Sequence, residues 1–192
     1  MNRKQFFEKV KNSGITGKED LVKIQRAYWL AKLVHKVQKR DSGERYFEHC
    51  RRVSVTLLKY NTATADEIVI ALLHDCIEDG FIPKDVLEML FGSYVAYAVE
   101  KLSKVTIYFD EIGMVEKIRK DTADYYATIS KSDAHIRKIK ISDRSDNLQD
   151  ISAWSEDRKF AYFEETKRYI LPIAEILIKD QLIAEFGKKG GG

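Results

Sequence analysis

The sequence is short of the residues that interrupt helices. It has 2 prolines in 192 residues, and most of its 10 glycines fall at points where apolar periodicity changes phase. That scarcity disfavours a fold of many short strands and turns and favours helices with apolar residues at i, i+3 and i+4. Cysteine is equally sparse. Cys50 and Cys76 are the only two, too few for a disulfide framework, so both are expected to be reduced and buried. There is no apolar run near the ~18 to 20 residues that cross a bilayer, so no membrane partner is expected. The opening MNRKQFFEKVKNSG lacks the apolar stretch of a secretory signal, which makes the cytoplasm the expected compartment. Charge of one sign is also lacking: 33 basic and 30 acidic residues leave a net +3 spread along the chain. That is not the basic stripe of a DNA- or RNA-binding surface.

What remains is one domain's length of amphipathic sequence, 44% hydrophobic and 33% charged. The expected fold is all-α, a single bundle of about eight to ten helices over residues 1–185, followed by a flexible tail, 186–192, rich in glycine and lysine. Helices are predicted near 3–12, 18–39, 45–59, 64–79, 83–91, 93–103, 111–130, 134–149 and 157–185. Thr64 is the expected N-cap of the fourth and Gly80 its stop. The segment KVTIYFD, 104–110, has strand composition. A lone strand has no partner, so it is assigned to a loop or extended connection.

The chemistry is concentrated in LLHDCIED, 72–79. On a helical wheel, Leu72, Leu73, Cys76 and Ile77 share one half, and His74, Asp75, Glu78 and Asp79 share the other. A solvated acidic face would explain any one of these residues. Three carboxylates at the C-terminal turn of a helix, however, oppose its dipole unless a cation sits nearby. A His beside an Asp offers the mixed nitrogen and oxygen donors that suit a divalent transition metal. With only four histidines, His35, His49, His74 and His135, His49 at the start of the predicted 45–59 helix is the best further donor. In KIKISDRSDNLQDIS, Asp143, Asn147 and Asp150 recur along one stripe with Asp146 alongside.

The ordered set His49, His74-Asp75, Asp143 resembles the H…HD…D pattern of the HD phosphohydrolase superfamily. The flanking stretches QKRDSGERYFEHCRRV, ALLHDCIED, FGSYVAYAVEKLSKVT and KIKISDRSDNL, in this order, resemble the hydrolase domain of the bifunctional RelA/SpoT alarmone enzymes, from about residue 20 to about 180. The resemblance implies that His49, His74, Asp75 and Asp143 ligate one metal, expected to be Mn2+ with another divalent cation as the alternative. It implies that Glu78, paired with Asp79, orients or deprotonates water. It also implies that Arg40, Ser42 and Asn147 contact the nucleoside of a small-molecule nucleotide substrate. Lys140 and Arg144, together with Lys101 and Lys104, are candidates for the pyrophosphate. The activity implied is removal of the 3′-pyrophosphate of (p)ppGpp by a stand-alone alarmone hydrolase, since no second core's worth of sequence follows for a synthetase. The alternatives are another nucleotide such as ppApp, or a catalytically silent binding module. Asp41, Asp146 and Asp150 depart from the family pattern and border the expected nucleoside pocket, which leaves the base preference open, as it does a homo-oligomer.

Overall fold

The computed structural model describes residues 1–59 and 63–178. In chain order the helices are α1 (Arg3–Asn12), α2 (Lys18–Val34), α3 (Tyr46–Leu57), α4 (Ala65–Leu73), α5 (Cys76–Gly80), α6 (Lys84–Phe91) and α7 (Ser93–Leu102). A hairpin of β1 (Val105–Phe109) and β2 (Val115–Arg119) follows, then α8 (Thr122–Lys131), α9 (Ala134–Leu148) and α10 (Glu156–Glu165). A π-helical turn, Thr166–Ile170, leads into a further helical stretch over 171–178. The predicted end of the last helix and the tail 186–192 lie outside the described residues. No helix among the described residues is long and apolar enough to cross a membrane.

The centre of the bundle is α4. Every side chain from Ile68 to Leu73 is fully buried, because α2, α3, α7 and α9 pack around it. A helix that is apolar on all sides has to be enclosed in this way. Its start is set by a reciprocal cap: the Glu67 backbone N–H donates to Thr64 Oγ1 at 3.2 Å, and the Thr64 N–H donates to Glu67 Oε2 at 2.8 Å. By contrast, α9 is the polar partner of the core. Asp133 caps it, and it buries Lys140, Asp143, Arg144 and Asp146 against its neighbours. So many buried charges require partners and indicate where the chemistry lies.

Four expectations are corrected. Residues 64–79 are not one helix: α4 ends at Leu73, Asp75 sits at φ −101° and ψ 0°, and α5 restarts at Cys76. Glu78 and Asp79 therefore lie in the first turn of a short helix, where its dipole favours acids, and the supposed dipole conflict disappears. Second, 104–110 is not a loop. Its partner is β2, inside the segment predicted as a helix over 111–130, and Val105 pairs with Arg119 and Phe109 with Val115. Asp110 nucleates the turn by accepting from the Ile112 and Met114 N–H groups at 3.0 and 2.7 Å, and Gly113 adopts φ +82°. Third, α2 stops at Val34 instead of 39, because Gln38–Tyr46 folds into a turn closed by the Lys39–Arg45 bridge and the Arg40 N–H bond to the Glu44 carbonyl at 2.9 Å. Fourth, Gly80 is not the left-handed stop; Phe81 takes that conformation at φ +54°. Gly80 is needed because an added Cβ would lie 2.4 Å from Val34 Cγ1, where the end of α2 crosses α5.

Candidate metal centre

Two helices and the break between α4 and α5 converge on one point. His49 comes from α3, His74 and Asp75 from the α4–α5 junction, and Asp143 from α9. His49 Nε2 lies 3.3 Å from His74 Nε2, 3.3 Å from Asp143 Oδ1 and 3.7 Å from Asp75 Oδ2. His74 Nε2 lies 2.9 Å from Asp75 Oδ2 and 3.7 Å from Asp143 Oδ1. Ligands about 2.0–2.2 Å from a metal at octahedral or tetrahedral angles stand about 2.8–3.6 Å apart, so the donor set has close to the dimensions of a coordination shell.

The ring tautomers agree with this reading. His74 Nδ1 donates to the Ala71 carbonyl at 2.9 Å, and His49 Nδ1 donates to Asp146 Oδ2 at 2.7 Å. Each ring is thereby left with its Nε2 lone pair facing the other at 3.3 Å. Two facing lone pairs beside two carboxylates need positive charge between them. Burial opposes an imidazolium at His49 and His74, yet the Asp75, Asp143 and Asp146 carboxylates outweigh burial and raise both. Burial likewise opposes charge on Asp143, but Lys140 and the two imidazoles hold it well below the usual carboxylate range. His49, His74 and Asp143 could hold a metal ion, and the donor chemistry suits a borderline divalent one.

A surrounding set of groups holds these donors in place. The Tyr46 hydroxyl donates to Asp75 Oδ2 at 2.8 Å, Lys140 Nζ to Asp143 Oδ2 at 2.9 Å, and Asn147 Nδ2 to Asp143 Oδ1 at 2.6 Å. Asp146, besides holding His49, accepts from Arg52 Nε at 2.6 Å. Burial would raise its carboxyl, but the bonds from His49 and Arg52 carry it down to about 2. Asp146 was read from sequence as a nucleoside-pocket departure. Its place three residues after Asp143 on a buried helix face was the available signal that it steadies the same site. Tyr46, Arg52 and His35 were missed. The His35 ring is buried and stacked on Tyr46, its Nδ1 lies 2.5 Å from Gln38 Oε1 and 4.0 Å from Asp79, and its Nε2 has no hydrogen-bond partner among the described residues.

The remaining sequence candidates divide. Glu78 Oε2 accepts from the Lys104 backbone N–H at 3.0 Å, which ties α5 to the foot of β1. Asp79 is pushed up to about 6 by burial and by the Asp75 charge. Arg40 donates to Asp150, to Asn147 Oδ1 at 2.8 Å and to Asp146 at 3.4 Å, and Ser42 Oγ donates to Asp150 at 3.1 Å. Asp146 and Asp150, which border the expected nucleoside pocket, are thus occupied by Arg40. Asp41 accepts from Trp154 Nε1 at 2.7 Å and Arg158 at 2.8 Å. Arg144 is not brought to the cluster: its guanidinium binds Glu165 and the Tyr126 hydroxyl and lies 3.8 Å over the Tyr162 ring. A fully buried arginine on these partners braces α10 and the π-helical turn rather than meeting pyrophosphate. Lys104 lies 3.7 Å from the same Glu165, and Lys101 over Tyr97.

The HD domain family pattern matches residues 27–176. The GTP pyrophosphokinase rsh of Brucella melitensis is 32% identical over 154 residues, 79% of this chain and 20% of that protein. The guanosine-3′,5′-bis(diphosphate) 3′-pyrophosphohydrolase of Aquifex aeolicus is 32% identical over 166 residues, 83% of this chain and 23% of the relative. The chain therefore spans about a fifth of the length of these curated relatives. A solved structure of a metazoan ortholog of SpoT, described as hydrolyzing ppGpp and acting in starvation responses, matches with TM-score 0.66 and 24% identity, over 86% of this chain and 96% of its own. That likeness establishes the fold. With the family pattern running through α3, α4 and α9, the chain belongs to the HD-domain family.

Proposed function

We propose that this chain is a divalent-cation-dependent phosphohydrolase that removes the 3′-pyrophosphate of (p)ppGpp, giving GDP or GTP and pyrophosphate. The observation that carries the reading is the convergence of His49, His74, Asp75 and Asp143 within ligand spacing, in a chain similar to a protein named for this activity. A divalent ion held by these four residues, Mn2+ in this reading, supplies electrophilic activation of water and offsets negative charge on the phosphate oxygens.

The chain's own residues do the rest. Asp75 is the most open of the donors, with 18% of its side chain exposed against 0% for His49, so substrate approaches from the α5 side. Glu78 and Asp79, in the first turn of α5, take the proton that water loses. Water adds to the phosphorus of the 3′-phosphate, the bond to the 3′-oxygen breaks, and that oxygen regains a proton. Lys140 on Asp143 offsets the carboxylate charge that faces the incoming anion. Arg40 has its hydrogen-bonding edge fixed by Asp146 and Asn147 of α9 and by Asp150 just after it. It presents a preset planar face for the nucleobase, with Asn147 and Ser42 beside it.

Purified protein incubated with Mn2+ and ppGpp, pppGpp, ppApp or NADPH, with products resolved by anion exchange, tests this reading. Turnover of the guanosine compounds, abolished by Asp75→Asn with the helical circular-dichroism spectrum retained, is expected. No turnover of any of them with metal bound removes the enzyme reading.

A further inference from the structure

Both cysteines of the chain directly follow members of the donor cluster, Cys50 after His49 and Cys76 after Asp75. Both are fully buried free thiols, and the hydrolytic reading uses neither. The two are not equivalent. The Cys50 sulfur, one donor atom of His74 and one of Asp75 all lie within 4.8 Å of one another, the same limit met by His49, His74 and Asp143. Sulfur, nitrogen and oxygen ligands of a tetrahedral zinc stand about 3.4–3.6 Å apart, so donors within 4.8 Å of one another have to draw in to close on an ion.

The two sets differ in character. His49, His74 and Asp143 offer nitrogen and oxygen. Cys50, His74 and Asp75 replace one of these donors with a sulfur, whose thiolate prefers zinc, cobalt or cadmium to manganese or magnesium. Because both sets use His74, one ion cannot fill both without moving toward the sulfur. Metal entry exchanges the S–H proton for the cation and releases that proton to solvent.

From this we infer that Cys50, His74 and Asp75 form a second, overlapping metal site for thiophilic divalent ions, whose filling withdraws His74 and Asp75 from the nitrogen–oxygen site. The inference rests on the metal-centre reading for the role of His74 and Asp75, but not on any substrate. It assigns Cys50 a part in deciding which metal the protein retains.

Titration of metal-free, reduced protein with Co2+, followed by near-ultraviolet absorption, tests it directly. A thiolate-to-cobalt charge-transfer band is expected in the wild type, lost in Cys50→Ser and kept in Cys76→Ser. Zn2+ affinity of Cys50→Ser should fall about tenfold or more, the scale on which even outer partners of a metal act. X-ray absorption on the zinc-loaded wild type needs no variant: a sulfur scatterer at about 2.3 Å is expected. Stoichiometric Co2+ or Zn2+ binding with no charge-transfer band and only nitrogen and oxygen scatterers overturns the proposal, as does a band that survives Cys50→Ser. Neither result bears on ppGpp turnover by the Mn2+-loaded protein, so failure of this inference and failure of the hydrolase reading are separately visible.

Discussion

Replacing Asp146 with Asn is the most informative single perturbation of the metal centre. Asp146 touches no other donor of the cluster directly; it acts through His49, whose Nδ1–H it accepts at 2.7 Å, while Arg52 and Arg40 hold it from behind at 2.6 and 3.4 Å. Asn keeps the shape and one acceptor oxygen but removes the charge, so His49 Nε2 becomes a poorer and less firmly aimed donor. Losing an outer carboxylate of this kind weakens metal binding by about 10–100-fold, which is about 1.4–2.7 kcal/mol. Isothermal titration of the metal-free protein with Mn2+ should show that loss, and Arg52→Gln, which leaves the carboxylate in place, should show a smaller one. Mn2+ affinity of Asp146→Asn within twofold of wild type would refute the view that Asp146 tunes His49, and with it the tautomer argument for the site.

Two further predictions concern the frame. Gly80→Ala forces a methyl group to 2.4 Å from Val34 Cγ1, an overpacking worth about 1–3 kcal/mol; thermal unfolding should shift down by several degrees, and adding Val34→Ala should restore part of it. Glu165→Gln tests the Arg144 brace. Burial would raise the Glu165 carboxyl, but bonds from Tyr126 and Arg144 and the nearby Lys104 lower it from 4.5 to about 2. A carboxyl depressed on folding adds stability that is complete above its unfolded value and lost as pH falls through the folded one. Glu165→Gln should therefore melt below wild type at pH 7, with the gap closing between about pH 4.5 and 2. A gap that stays constant to pH 2 contradicts the brace.

The helical frame was legible where pattern and cap agreed. Thr64 with Glu67 three residues on marks the start of α4, and an apolar run from Ile68 to Leu73 can only be enclosed. The break at His74-Asp75 was not legible, because a wheel drawn through 72–79 keeps the same residues together whether or not the helix restarts. The hairpin was missed because β1 was judged without a partner, and β2, half-charged and largely exposed, carries no strand pattern of its own. Its signal lay in the turn chemistry of Asp110 and Gly113. At the site, donor types and order were readable, but outer partners were not. Whether Asp146 faced His49 or a nucleoside depended on how α9 rotates against α3. Arg144 shows the converse: a cation next to a donor in sequence turned to Glu165 and the Tyr162 ring.

In the proposed function, His49, His74, Asp75 and Asp143 hold one divalent ion and direct water to a 3′-pyrophosphate. Phosphorus NMR of ppGpp mixed with the Mn2+-loaded protein tests it most directly. Pyrophosphate and GDP should rise together as ppGpp falls, and neither should appear with Asp75→Asn. Orthophosphate as the first product, or unchanged turnover by Asp75→Asn, would contradict it.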